Sequence, residues 1–419
     1  MTPATMSVKG LLRFNNCFMI SFGSNYNLLL QRKLLIYDGC NNSYTNHDNY
    51  FNGKRFHNGR PETTALKYKN PTNSLNIDVL SQNLNREGDE IEFVTIPGSS
   101  NIKFETIENY YRENKKFAKL TAQFRMGNKY GDDLFYATYW KPDHGKKFRK
   151  GSINALVFIC HGYAEYLGDG YDEVARLWTS RLGGGCLVFG HDHVGHGRTT
   201  AGERVLVNDI QEFVDPVIAH VQSVQNWKNC GGGRLPVFLV GHSMGGLISL
   251  LALLERQNLF HGFIGVSPLV IIGPDRATPT NKFLAKHVQR YFPSLTLPSY
   301  MDDNNDNHIT RNKIFVENIR KDLLRWHRGP KARTGWLLIQ TCEAVQNEMK
   351  NITLPLLLLQ GGKDKLVDPL GAKIIYENCS SSDKEYKVYT EAFHNLFIEL
   401  DDVKQDVHEI SLKWMNQRL

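Results

Sequence analysis

Residues 236–256 read PVFLVGHSMGGLISLLALLER, and this stretch decides the fold. Residues 236–240 are a short apolar run of the kind that forms a buried strand. Residues 246–256 have the length and composition of a helix. Between them, Gly241-His242-Ser243-Met244-Gly245 fits the pattern Gly-x-Ser-x-Gly. The five residues alone are common by chance. The strand before and the helix after make them a nucleophile elbow, a turn too tight for side chains beside the serine. Gly241, Gly245 and Gly246 meet that demand, because glycine has no Cβ. Ser243 is therefore the candidate nucleophile; the plainer alternative is an incidental serine in a glycine-rich turn.

The flanking sequence repeats the same rhythm. Residues 155–160 are apolar and end in His161-Gly162; residues 171–182 read as a helix that Gly183-Gly184-Gly185 stops. A strand at 186–189, a helix at 214–227 and a strand at 262–266 follow. After an irregular insert come a strand at 354–359, a helix at 370–377, a strand at 386–389 and a helix at 403–418. Earlier, residues 134–140 alternate like a strand. Strands alternating with helices of about 10–15 residues imply a parallel sheet with helices on both faces. With the elbow, the expected class is α/β: the α/β-hydrolase fold with a mostly parallel central sheet.

A serine hydroxyl needs a base to take its proton, and in this fold the acid and then the histidine follow the serine in the chain. Asp364 lies just past the strand 354–359 and His394 just past the strand 386–389. Both positions are at carboxyl ends of strands, where open α/β sheets gather their sites. Asp364 is favoured as the acid for its closeness to the strand end; Asp368 is the rival and Glu391 a distant third. An oxyanion hole requires two backbone N–H groups. The expected donors are Met244, after the nucleophile, and Tyr163, in the loop His161-Gly162-Tyr163-Ala164-Glu165.

Two other motifs promise less. His191-Asp192-His193-Val194-Gly195-His196-Gly197 looks like a zinc site but lacks a matching distant ligand set, so a turn shaping the rim of the site is expected and no metal. Gly231-Gly232-Gly233 has no Gly-Lys-Ser/Thr continuation and reads as a loop.

Composition bounds the rest. The 419 residues are 41% hydrophobic and 22% charged, enough for one large catalytic domain with an extension. The net charge of +7 is spread without a nucleic-acid-reading motif, which argues against nucleic acid and is compatible with an anionic membrane surface. Seven cysteines without framework spacing suggest free thiols in a reducing compartment, hence the cytoplasm. No apolar run reaches the ~20 residues of a membrane span. Residues 1–105 are rich in Asn, Ser, Tyr and Gly and are expected to be a disordered extension, with the catalytic domain at 106–419. The first 37 residues lack acids, loosely like a mitochondrial presequence, though an unstructured tail is the preferred reading.

From about residue 128 to the C-terminus the chain resembles the monoacylglycerol lipase family of the α/β-hydrolase superfamily. The resemblance rests on LFYATYWKP at 134–142, the loop 161–165, HDHVGHG at 191–197, GHSMGG at 241–246, SPLV at 267–270, TRNK at 310–313 and LLLLQG at 356–361. It implies hydrolysis of an ester between glycerol and one fatty acid by Ser243, Asp364 and His394, without a cofactor, and a lipid ester substrate. It also implies a helical cap at about 270–350 and a glycerol-binding role for Glu165. A lysophospholipase or broad carboxylesterase on the same triad is the alternative, and a catalytically silent lipid-binding protein the more distant one. The chain departs from the family in several places. Tyr163-Ala164 replace two small residues, and Asp169 and Gly170 stand where an arginine helps bind glycerol. Phe397 replaces a second histidine, and Trp326, Arg333 and Val367 replace cysteines. Within the cap, residues 280–292 place Phe283, Leu284, Val288, Tyr291 and Phe292 on one face and Lys282, Lys286 and Arg290 on another. A lid helix touching the membrane surface is expected, making the protein peripherally membrane-associated; packing on its own domain is the alternative. A homodimer stays open.

Overall fold

The computed structural model describes residues 102–113, 117–126, 134–142, 153–226, 235–274, 278–297 and 305–419. All lie in the second of two units of the chain, Tyr68–Leu419. The expected disordered extension falls outside the described residues except at its end, where the first strand already begins at Ile102.

Among the described residues nine strands form one sheet, in the order β1-β2-β3-β5-β4-β6-β7-β8-β9. The first three are antiparallel: β1 (Ile102–Glu113), β2 (Phe117–Met126) and β3 (Phe135–Pro142), with β3 also antiparallel to β5. The remaining strands are β4 (Ala155–Cys160), β5 (Cys186–His191), β6 (Val237–His242), β7 (Gly262–Val266), β8 (Leu356–Gly361) and β9 (Lys384–Tyr389). They pair in parallel, β4 to both β5 and β6, then β6–β7, β7–β8 and β8–β9. Every residue of β4 to β8 is buried, which explains their continuous Val, Ile, Leu and Phe runs.

Five helices connect the sheet: α1 (Asp169–Arg181), α2 (Gln211–Gln225), α3 (Met244–Arg256), α7 (Leu370–Asn378) and α8 (Asp401–Asn416). They divide the core into two layers. One layer sets Phe213, Val217 and Leu247 against Phe158 and Leu239; the other sets Val174, Trp178 and Trp414 against Val157 and Phe238. Three helices between β7 and β8 form the cap: α4 (Pro279–Tyr291), α5 (Lys313–Lys321) and α6 (Ala332–Glu348). The start of α4 is fixed locally, since the Thr278 hydroxyl accepts from Asn281 N at 3.2 Å and Pro279 opens the first turn. Lys282 ties α4 to Glu343 of α6 at 2.9 Å.

Cys160, Cys186, Cys342 and Cys379 are free and buried. Burial pushes the thiols of Cys160 and Cys379 up to about 12, so neither is a reactive thiolate.

Candidate active site

Ser243 sits where β6 becomes α3, with φ 54° and ψ −122°, in the left-handed region that serine rarely enters. Three backbone hydrogen bonds fix it there. Ser243 N donates to Val266 O at 3.1 Å, and its carbonyl accepts from Gly246 N and Leu269 N, each at 2.9 Å. Gly245 is required by crowding: a Cβ there would stand 2.1 Å from Cys160 O and 2.6 Å from His161 O. The same argument applies to Gly162, whose Cβ would lie 3.1 Å from Ser243 Cβ. The loop 161–165 is thus pressed against the serine.

Asp364 and His394 meet at the carboxyl ends of β8 and β9. His394 Nδ1 donates to Asp364 Oδ2 at 2.7 Å. Gln360 Nε2 donates to the same oxygen at 3.2 Å, and Leu366 N and Val367 N donate to Oδ1 at 2.8 and 3.1 Å. Burial alone would raise the Asp364 carboxyl, but His394 and the two backbone N–H groups outweigh it and hold it below its ordinary value. The structure separates the rival acids. Asp368 accepts from Leu370 N at 3.0 Å at the start of α7, and Glu391 is engaged by Lys363. One contact links His394 to the elbow: its ring lies 4.9 Å, centroid to centroid, from the ring of His242, which directly precedes the serine.

Met244 opens α3 directly after the serine, and Tyr163 follows Gly162 in the loop pressed against it. Both N–H groups therefore belong to the segments that flank Ser243. The half-buried Tyr163 ring meets that of His196, with centroids 5.6 Å apart, and burial of its hydroxyl pushes the phenol above the ordinary range.

Glu165 was expected to bind the alcohol part of the substrate. It is 3% exposed and surrounded by protein donors. Its Oε1 accepts from Gly162 N at 2.5 Å, Tyr171 OH at 2.8 Å and His242 Nδ1 at 2.7 Å; Arg325 Nη2 lies 3.4 Å from Oε2. Burial would raise this carboxyl, but His242, Arg325 and His161 together hold it well below the usual carboxylate range. His242 itself is shifted down, first by burial, with Glu165 opposing. Neither Tyr171 nor Arg325 stands out in the sequence: no periodicity ties Tyr171 to Glu165 six residues away, and Arg325 is 160 residues away.

The histidine-rich turn lies deeper than the expected rim. His191, His193 and His196 are each 1% exposed. The His193 ring lies 4.2 Å, centroid to centroid, from that of His161 at a tilt of 44°, and His193 N donates to His161 Nε2 at 2.9 Å. Asp192 closes the turn by accepting from Leu167 N and Arg198 N, both at 2.9 Å. Among the described residues no cluster could hold a metal ion. The turn backs the loop 161–165 and supports it from below.

A strained serine between β6 and α3, with an aspartate–histidine pair at the ends of β8 and β9, defines a serine hydrolase of the α/β-hydrolase fold. The family model described as "Serine aminopeptidase, S33" matches residues 151–401. Monoglyceride lipase of Rattus norvegicus is 40% identical over 285 residues, spanning 68% of this chain and 87% of that protein. Monoglyceride lipase of Homo sapiens is 40% identical over 284 residues with the same coverage. Among solved structures, the monoacylglycerol lipase of Paleococcus ferrophilus aligns with a TM-score of 0.57 at 23% identity, over 68% of this chain and 99% of that one, a likeness of fold. The chain belongs to the monoglyceride lipase family of carboxylic ester hydrolases.

Proposed function

We propose that this enzyme hydrolyses a monoacylglycerol to glycerol and free fatty acid through an acyl-enzyme on Ser243. The observation that carries the reading is the buried Asp364–His394 pair beside the elbow serine. Because His394 Nδ1 is committed to Asp364, its Nε2 is left to take the Ser243 proton. Asp364 holds the ring in that tautomer and offsets the imidazolium charge as it forms. The N–H groups of Tyr163 and Met244 receive the negative charge of the tetrahedral intermediate. His394 returns its proton to the departing glycerol oxygen, then activates the water that releases the fatty acid.

The cap helix α4 is proposed to touch the lipid surface. Phe283, Tyr291 and Phe292 are 65%, 72% and 61% exposed, so the aromatic face is not packed on its own domain. Lys286 and Arg290 are exposed on the same helix and suit an anionic surface. Among the described residues no helix is long and apolar enough to cross a membrane.

A second reading, a lysophospholipase or broad carboxylesterase, is favoured by positions 163, 169, 170 and 397, where Tyr163, Asp169, Gly170 and Phe397 depart from the family's sequence pattern. A panel of monoacylglycerols, lysophospholipids and short p-nitrophenyl esters tests both. The expected result is the highest kcat/KM on monoacylglycerol, with turnover and fluorophosphonate labelling both lost in Ser243→Ala. Labelling that survives in Ser243→Ala would overturn the nucleophile, and preference for lysophospholipid would overturn the substrate.

A further inference from the structure

The cap does more than cover the site. Its segment 322–326, between α5 and α6, meets three consecutive residues of the loop that follows β4. Trp326 N donates to Ala164 O at 3.1 Å. Arg325 Nη2 reaches Glu165 Oε2 at 3.4 Å, and Tyr166 OH donates to Asp322 Oδ2 at 2.8 Å. Arg204 seals the flank, giving Nη2 to Leu324 O at 2.6 Å and Nη1 to Gly197 O at 3.1 Å.

The contacts fall where the loop is least able to hold itself. Ala164 has φ 64°, a conformation that an L-residue with a Cβ enters at a cost, so its geometry must be imposed by neighbours. Trp326 N binds its carbonyl. The next residue, Glu165, accepts from Gly162 N through Oε1 at 2.5 Å, and this fixes the His161–Gly162 peptide, one link before the peptide that carries the Tyr163 N–H. A carboxylate with all its donors on one oxygen is free to pivot. Arg325 takes the other oxygen and removes that freedom. The side chain of Arg325 is 15% exposed, against 4% for Glu165, so the pair is largely shielded from water.

We propose that Arg325 is a positioning residue through which the cap sets the oxyanion loop: it locks the Glu165 carboxylate, and Glu165 locks the His161–Gly162 peptide, from which the loop turns to aim the Tyr163 N–H. The proposal rests on the oxyanion role given to Tyr163 above. The site is then fully formed only with segment 322–326 seated on the loop.

The test compares wild type, Arg325→Met and Arg325→Lys on a soluble short-chain p-nitrophenyl ester and a dispersed long-chain monoacylglycerol. An oxyanion donor acts in the transition state, and removing one outright costs roughly 100- to 1000-fold in kcat. A donor that is misaimed but present loses less, so Arg325→Met is expected to lower kcat about tenfold on both substrates with KM within about twofold. Arg325→Lys, which keeps the charge, is expected to recover part of the loss. The pH profile gives a second readout. Glu165 is faced by His242, Tyr171, His161 and Arg325. Deleting one cation raises the pH at which Glu165 takes a proton, so the acidic limb of kcat moves up in Arg325→Met. Tyr166→Phe, which removes only the hydroxyl given to Asp322, is expected to lower kcat several-fold in the same pattern on both substrates, and it guards against misfolding of the arginine variant. A loss confined to KM on the long-chain substrate, or unchanged kcat and pH profile in both variants, would overturn the proposal. Failure of the underlying catalytic reading shows separately, as a wild type that neither turns over nor labels with fluorophosphonate.

Discussion

Most of the residues proposed for the centre of the site can be picked out singly because each follows a strand end. Ser243, Asp364 and His394 follow β6, β8 and β9, and period and punctuation locate those strands without any tertiary information. The choice between Asp364 and Asp368 was less secure in the sequence, since four residues separate them on one loop. The structure gives it a physical basis: Asp364 has His394 on one oxygen and two backbone N–H groups on the other, whereas Asp368 begins a helix. Asp364→Asn is therefore expected to reduce kcat by about 10⁴-fold, because the amide favours the wrong imidazole tautomer. Asp368→Asn is expected to stay within about threefold of wild type with little change in stability, because the amide oxygen still accepts from Leu370 N. Equal losses in the two variants, measured as kcat on one soluble ester, would reverse the assignment. The partners of Glu165 were not legible. Tyr171 is six residues away and Arg325 is 160, and no periodicity connects either to a carboxylate.

At the scale of elements, strands β4 to β8 were read to within about two residues of their ends, because burial on both faces writes continuous apolar runs. The antiparallel strands β1 and β2 were missed. In β1 the register shifts between Phe104 and Thr106 and again between Ile107 and Asn109, which breaks the two-residue alternation that marks a strand. In β2 Leu120, Ala122 and Phe124 are buried, but Thr121 between them is buried as well and Lys119 and Arg125 interrupt the apolar pattern. The cap helix α4 was expected at 280–292 and runs over Pro279–Tyr291, with its aromatic face outward. Inserting Phe283 and Phe292 into lipid would contribute several kcal/mol at about 25 cal/mol per Å² of apolar area. Replacing both by Ser is expected to reduce sedimentation with anionic vesicles and to slow hydrolysis of dispersed monoacylglycerol about tenfold, while a soluble short-chain ester is cleaved at nearly the normal rate. Unchanged vesicle binding with equal losses on both substrates would reduce α4 to a structural part of the cap.

The whole molecule buries an unusual amount of titratable histidine. His161, His191, His193, His196, His220, His242 and His408 are all shifted down from 6.5 by burial, His196 and His408 to about 4 and His220 to about 3. The unfolded chain accepts these protons near pH 6.5, whereas the folded chain accepts them only at lower pH. Their contribution to stability is therefore complete above pH 6.5 and erodes as pH falls toward 4. The shift of His196 alone corresponds to roughly 3 kcal/mol. Asp364 and Glu165 act in the same direction further down: both are held low by their partners, so their contribution is present above about pH 4 and is lost as pH falls through their folded values. Thermal unfolding followed from pH 7 to pH 4 is expected to show a steadily falling midpoint with uptake of several protons. A midpoint flat across that range would contradict the burial of the histidine cluster.

Ala164 holds φ 64° and Ser243 φ 54°, and Ser267, which follows β7, holds φ 44°. Glycine would adopt any of these shapes freely. At Ala164 it would relieve about 1 kcal/mol of steric cost in the folded chain and add a comparable amount of freedom to the unfolded chain, leaving the balance near zero. Pressure to keep the protein folded is thus blind to this position. What the alanine adds is a backbone with fewer shapes to visit, confined to the one whose carbonyl Trp326 N clasps.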